Sequence, residues 1–150
     1  MKFLFTLCLL AGIASAGIAQ NIPTDSLAGN WTGVITQNEG GYASEYKFRM
    51  YLEIEGDKVS GRSFVTLGKI HATMELEGEI IGDQSFSFKE LRILDEKSHE
   101  GMEWCYKSGF LLISREKGKV MLKGPWSGKT KDESACIPGD IILQRTAPRA

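Results

Sequence analysis

The chain is poor in the residues that build catalytic and metal centres. Among 150 residues there are two histidines, His71 and His99, three cysteines and four prolines. No Gly-x-Ser-x-Gly, no His-Glu-x-x-His, no phosphate-binding glycine loop and no Cys-x-x-Cys occurs, so the local signatures of serine hydrolases, zinc peptidases, nucleotide-binding enzymes and dithiol redox proteins are all missing. The histidines stand far from the cysteines in sequence, so no metal site and no cofactor is expected. Charge of one sign is also missing. With 18 basic against 19 acidic residues and no Lys/Arg run, the chain has no electrostatic footprint for nucleic acid or an anionic membrane. Beyond the leader, no stretch of helical length carries an apolar stripe. The composition therefore points to a non-enzymatic protein built without helices.

The one long apolar run, Phe3 to Ile13, follows Lys2 and precedes Ala14-Ser15-Ala16, the layout of a secretory signal peptide. Residues 1–19 are taken as this leader and 20–150 as a single domain. Cleavage after Ala16 is the first choice and after Ala19 the next, because Gly17 and Ala19 are also small. The run is short for a membrane span of roughly 20 residues, and Leu7 before Cys8 is not the small residue that lipid attachment requires. A secreted or periplasmic protein with no stable membrane anchor is expected. Cys8 leaves with the leader, and Cys105 and Cys136 remain as an even pair bound for an oxidising compartment, where they should form a disulfide. A closed loop of that length contributes roughly 3–4 kcal/mol by the chain-entropy estimate.

From Trp31 onward the dominant period is two, the signature of half-buried strands. The first strand, Asn30 to Gln37, ends at Gly40-Gly41. In the second, Tyr46, Phe48, Met50, Leu52 and Ile54 alternate with Lys47, Arg49, Tyr51, Glu53 and Glu55. The third, Val59 to Leu67, holds Gly61, a candidate for a bend or close packing. The fourth alternates Ile70, Ala72, Met74 and Leu76 with polar residues and ends near Gly82-Asp83. Its Glu75, Glu77 and Glu79 resemble paired carboxylates, but they lie opposite the apolar stripe and are read as a solvated face. The fifth holds Phe86 and Phe88 on one parity and Leu91 and Ile93 on the other, which predicts a bulge near Lys89-Glu90. Asp95 to Gly101 is read as a polar loop in which His99 is surface decoration. The sixth strand, Met102 to Arg115, places Trp104, Tyr106 and Phe110 on one parity and Cys105, Leu111 and Ile113 on the other, with Gly109 as a second candidate bend. Val120 to Trp126 is the seventh, Ser127 to Asp140 a long loop, and Ile141 to Arg145 the eighth. All-β, a single antiparallel up-and-down barrel of eight strands, is the predicted fold, since closure alone leaves such a sheet without an exposed edge.

Gly29, Trp31 and Arg145 carry a resemblance. A glycine, any residue, then tryptophan on the first strand, with an arginine on the last, is similar to the closure signature of the calycin superfamily of lipocalins, fatty-acid-binding proteins and avidins. The resemblance implies a lipocalin-like barrel in which Arg145 packs over the Trp31 indole and an apolar ligand lies inside. The chain departs from that pattern in lacking a helix after the last strand and a convincing set of avidin-type biotin contacts, so no particular ligand is implied.

Three roles follow for testing. The first is a binding protein whose interior, lined by Phe48, Met50, Leu52, Met74, Leu76, Phe86, Phe88, Trp104 and Tyr106, holds a small apolar or amphipathic ligand, with Trp and Tyr as polar handles. The same side chains could instead interdigitate and fill the barrel, a choice that sequence leaves open. The second is a protein-interaction or inhibitor module acting on a protein partner through the disulfide-pinned loop 127–140. The third, an enzyme with a site scattered in sequence, has no motif behind it.

Overall fold

In β2 (Glu45–Glu55) the alternation of the sequence becomes an alternation of burial: Tyr46, Phe48, Met50 and Leu52 are buried, and the residues between them face solvent. The computed structural model describes residues 24–147; the leader assigned to 1–19 lies outside them. A 3₁₀ helix, Thr24–Leu27, precedes β1 (Gly29–Thr36). After β2 follow β3 (Lys58–Leu67), β4 (Ile70–Ile81), β5 (Ser85–Lys97), β6 (Tyr106–Glu116), β7 (Lys119–Lys129) and β8 (Gly139–Arg145). Each strand pairs antiparallel with the next, and β8 returns to β1 in the register Trp31↔Arg145 to Ile35↔Ile141, which closes the barrel. The predicted architecture is thus the observed one. Closure gives every strand two neighbours, so no edge is left to pair with another chain.

The two ends of the barrel differ. Tight turns at 56–57, 82–84 and 117–118 share one end with the 3₁₀ helix, and longer segments at 37–44, 98–105 and 130–138 share the other. The tight end is plugged by Leu27 and Trp31, both fully buried; the Trp31 indole N–H donates to the Leu27 carbonyl at 2.8 Å. Arg145 lies over the same ring, its guanidinium carbon 5.7 Å from the ring centroid, within the range of cation–π attraction. Gly29 (φ 111°) leaves room for it, since a Cβ there would stand 3.3 Å from Arg145 Nη2. In mid-barrel β2 and β3 approach so closely at Gly61 that a Cβ would lie 1.9 Å from the Tyr51 carbonyl oxygen, so the glycine foreseen as a bend is required by backbone contact.

Three strand assignments change. β5 runs on to Lys97, and the predicted bulge near Lys89-Glu90 moves C-terminal: the register jumps from Leu76↔Glu90 to Glu75↔Arg92, and from Met74↔Ile93 to Thr73↔Asp95, leaving Leu91 and Leu94 as the extra residues. Glu90 accordingly keeps the inward parity of Phe86 and Phe88, and Leu91 and Leu94 are 42% and 40% exposed. The apolar residue loses the interior because polar partners await Glu90 inside. β6 begins at Tyr106, so residues 102–105 are loop and Trp104 is not a strand residue; its inward face is Lys107, Leu111 and Ile113, and Phe110 is exposed. β7 extends to Lys129 and Lys129 bridges Ala135, which shortens the loop predicted at 127–140 to 130–138.

The outer face of β3–β5 explains the three glutamates of β4. Each has a cation on a neighbouring strand: Arg92 at Glu75, Lys89 at Glu77 (3.0 Å) and Lys58 at Glu79. They form an exposed cross-strand ion ladder.

Candidate functional site

The core fills the barrel from the tight end upward with Trp31, Phe48, Met50, Leu52, Met74, Leu76, Phe86, Leu111, Leu122 and Leu143, all 1% exposed or less. Above it, at the other end, lies a pocket of about 240 Å³. Its walls are Ile35 of β1, Tyr46 of β2, Val65 of β3, Lys107 of β6 and Trp126 of β7; Gln37 and Tyr42 come from the β1–β2 segment, and Gly101 to Cys105 of the β5–β6 segment, referred to below as the flap, complete the lining.

The aromatic walls are fixed by their polar atoms, as buried Trp and Tyr require. The Trp126 indole N–H donates to the Thr36 carbonyl at 2.8 Å, and that of Trp104 donates to Glu96 Oε2 at 3.0 Å. The Tyr46 hydroxyl donates to Gln37 Oε1 at 2.8 Å, and Gln37 Nε2 donates to the Ile137 carbonyl at 3.1 Å, so one chain of bonds links β2, the β1–β2 segment and the β7–β8 loop. Burial pushes the Tyr46 phenol above its ordinary pKa; the Ala43 backbone opposes this and Tyr42 adds to it.

The flap is stapled. Cys105 and Cys136 are joined, as predicted, at a sequence separation of 31, so the disulfide ties the pocket's flap to the β7–β8 loop. That loop is ordered from within: Thr130 N–H donates to the Ser134 carbonyl at 2.9 Å and Cys136 N–H to the Gly128 carbonyl at 2.9 Å, and Glu133 holds φ at 69°.

Below the pocket lies a polar group that sequence reasoning missed. Glu90 of β5 and Lys107 of β6 point inward and form an ion pair at 2.9 Å, their side chains 0% and 5% exposed. Glu90 Oε2 also accepts the Lys107 backbone N–H at 2.8 Å, and Oε1 accepts the hydroxyl of Ser63, itself buried. Lys107 Nζ donates further to the Cys105 carbonyl at 3.1 Å. The carboxylate therefore holds three donors and the ammonium two acceptors, the satisfaction that a buried pair needs if it is not to destabilise the fold. A signal was present in the sequence: Glu90 continues the parity of Phe86 and Phe88, Lys107 that of Leu111 and Ile113, and opposite charges at inward positions of adjacent strands are natural partners.

Of the nine residues expected to line a ligand site, Trp104 lines this pocket. Phe48, Met50, Leu52, Met74, Leu76, Phe86 and Phe88 lie in the core below it, and Tyr106, half-buried, faces a groove shared with Ser127, Lys129 and Cys136. Trp31 and Arg145 meet at the opposite end. His99 is in the flap loop, where its carbonyl accepts the Met102 N–H at 3.1 Å; His71 lies 3.0 Å from Asp95 on the outer surface. Among the described residues no group of three or more His, Cys, Asp or Glu side chains is placed to hold a metal, and no helix is long and apolar enough to cross a membrane. The chain matches no protein-family profile, no curated protein and no solved structure.

Proposed function

We propose that the chain is an exported, non-enzymatic binding protein that takes a small apolar or amphipathic ligand into the pocket at the open end of the barrel. The observation that carries this reading is the pocket itself: a 240 Å³ space of largely apolar wall, held by strands of a closed barrel and lined on one side by a segment that the Cys105–Cys136 bond anchors. Pre-formed concave sites with a few fixed polar groups are the usual form of small-molecule sites. The eight-stranded closure and the Arg145–Trp31 contact support a calycin-like assignment, and the leader-like residues 1–19 together with the disulfide support export. The inward-facing titratable pair, Glu90 and Lys107, is committed to mutual neutralisation, which favours holding a ligand over transforming one. Native mass spectrometry of the oxidised protein from its natural compartment, before and after organic extraction, tests this: a discrete excess mass should vanish on extraction. Val65→Trp should fill the pocket and abolish uptake with the barrel intact; undiminished uptake overturns the assignment.

A second reading rests on the 130–138 loop, which is exposed, internally bonded, stapled by Cys136 and strained at Glu133, features of loops that present a binding surface. Replacing Lys129, Lys131 and Asp132 together should then release a co-purifying protein partner without changing the pocket; retention of the partner refutes this role.

A further inference from the structure

The pocket's inner end sets the chemistry of what it accepts. We infer that the ligand is a small uncharged molecule carrying a hydrogen-bond acceptor, such as a ketone, that is received by Lys107, and that carboxylates are rejected. This inference rests on the binding role proposed above. Size follows from volume: 240 Å³, at roughly 30 Å³ for each water in the liquid, is the room of about eight waters, so the pocket suits a small molecule. Polarity follows from Lys107. It lines the pocket, and its ammonium has three N–H donors of which Glu90 Oε2 and the Cys105 carbonyl occupy two. The third is available to an acceptor that arrives with its apolar body against Ile35, Val65, Trp104 and Trp126.

Charge follows from Glu90. It lies 2.9 Å from the same ammonium and is wholly buried, so the pair is already neutral. A ligand carboxylate within hydrogen-bond distance of Nζ would place a second anion a few ångströms from the first, where water does not screen them, and would lose its own hydration on entry. The rim adds to this bias, because Glu103 lines the pocket and Glu96 holds the Trp104 indole. A neutral acceptor meets none of these costs and satisfies a donor that an alkane leaves unused.

The test uses the mature oxidised protein and three probes of one chain length, 2-heptanone, heptanoate and n-heptane, with binding followed at pH 7 through Trp104 and Trp126 fluorescence. In the wild type 2-heptanone should bind at least tenfold more tightly than heptanoate and several-fold more tightly than n-heptane. In Glu90→Gln, where the amide can still accept the Lys107 backbone N–H and donate to Ser63, the ammonium loses its counter-charge and heptanoate should become the preferred probe. Equal wild-type affinity for ketone and carboxylate, or for ketone and alkane, overturns the inference while leaving the binding role in place. No binding of any probe overturns both. If Glu90→Gln does not fold, judged by circular dichroism, the wild-type ranking alone decides.

Discussion

Removing Lys107 from the buried pair is the sharpest test of how this barrel is held together. In Lys107→Met the side-chain volume is nearly kept, but Glu90, with no exposed side-chain surface, loses its one ionic partner among the described residues. Breaking a buried pair in this way costs about 3–5 kcal/mol. The carboxylate keeps two of its three donors, the Ser63 hydroxyl and the residue-107 backbone N–H, which places the loss near the lower bound, about 3 kcal/mol. Against a domain stability of about 5–15 kcal/mol that is a large fraction, and with a urea slope of about 1.5–2 kcal/mol/M the midpoint should fall by about 1.5–2 M. The second half of the test is Glu90→Gln/Lys107→Met, in which the amide can accept the backbone N–H and donate to Ser63, so no charge is left buried. It should recover at least half of the loss. Urea denaturation of the oxidised protein, followed by tryptophan fluorescence at pH 7, measures both. A single variant less than about 1 kcal/mol below wild type, or a double variant no more stable than the single, would show that the cost does not arise from an uncompensated buried charge and would refute the reasoning.

Three further outcomes are expected. Cys105→Ser/Cys136→Ser should lose about 3.7 kcal/mol by loop-closure entropy over the 31-residue separation, and reduction of the wild type should match it in urea denaturation; a reduced protein as stable as the oxidised one would contradict this. Gly61→Ala, which forces a Cβ against the Tyr51 carbonyl oxygen, should cost about 3 kcal/mol or more and lower the melting temperature accordingly, and a neutral effect would mean that β2 and β3 are not locked in this register. Tyr46 favours its neutral phenol in the folded state, so its contribution to stability is complete below the unfolded phenol's pKa of about 10 and is lost as pH rises through the higher folded value. In Tyr46→Phe that part of the alkaline decline in melting temperature should disappear.

Most of the barrel could be read from period two. Tyr46 to Ile54 alone fixes β2, and the turns at Gly56, Gly68, Gly82 and Gly118 divide the rest into strands. Reading failed where a hydrophobic scale was trusted over pairing. Apolar residues are expected inside, which gives Leu91 the inward parity, yet Glu90 takes the interior position because Lys107 and Ser63, brought together only by the fold, repay its desolvation. The pocket was legible in one residue, Trp104. Ile35, Tyr46, Val65 and Trp126 looked like ordinary core positions, and nothing local distinguishes a side chain at the top of a filled core from one below it. That distinction depends on where the barrel stops being filled, a property of eight strands at once.

The β1–β8 seam has a consequence for how the chain reaches its fold. Every other strand pair joins neighbours in sequence and can form as soon as its own hairpin exists, whereas the seam joins Trp31 to Arg145 and, just beyond it, Thr32 to Thr146 across 114 residues. During synthesis seven strands can pair in order and still leave β1 and β7 as open edges, with Trp31 lacking Arg145 above it. The chain is therefore most exposed to association with other chains in the interval before its eighth strand emerges, and closure is a late, long-range event that sets the pace of folding. A truncation before Ile141 would prolong that interval indefinitely, leaving a sheet with two edges where the eight described strands form a closed barrel.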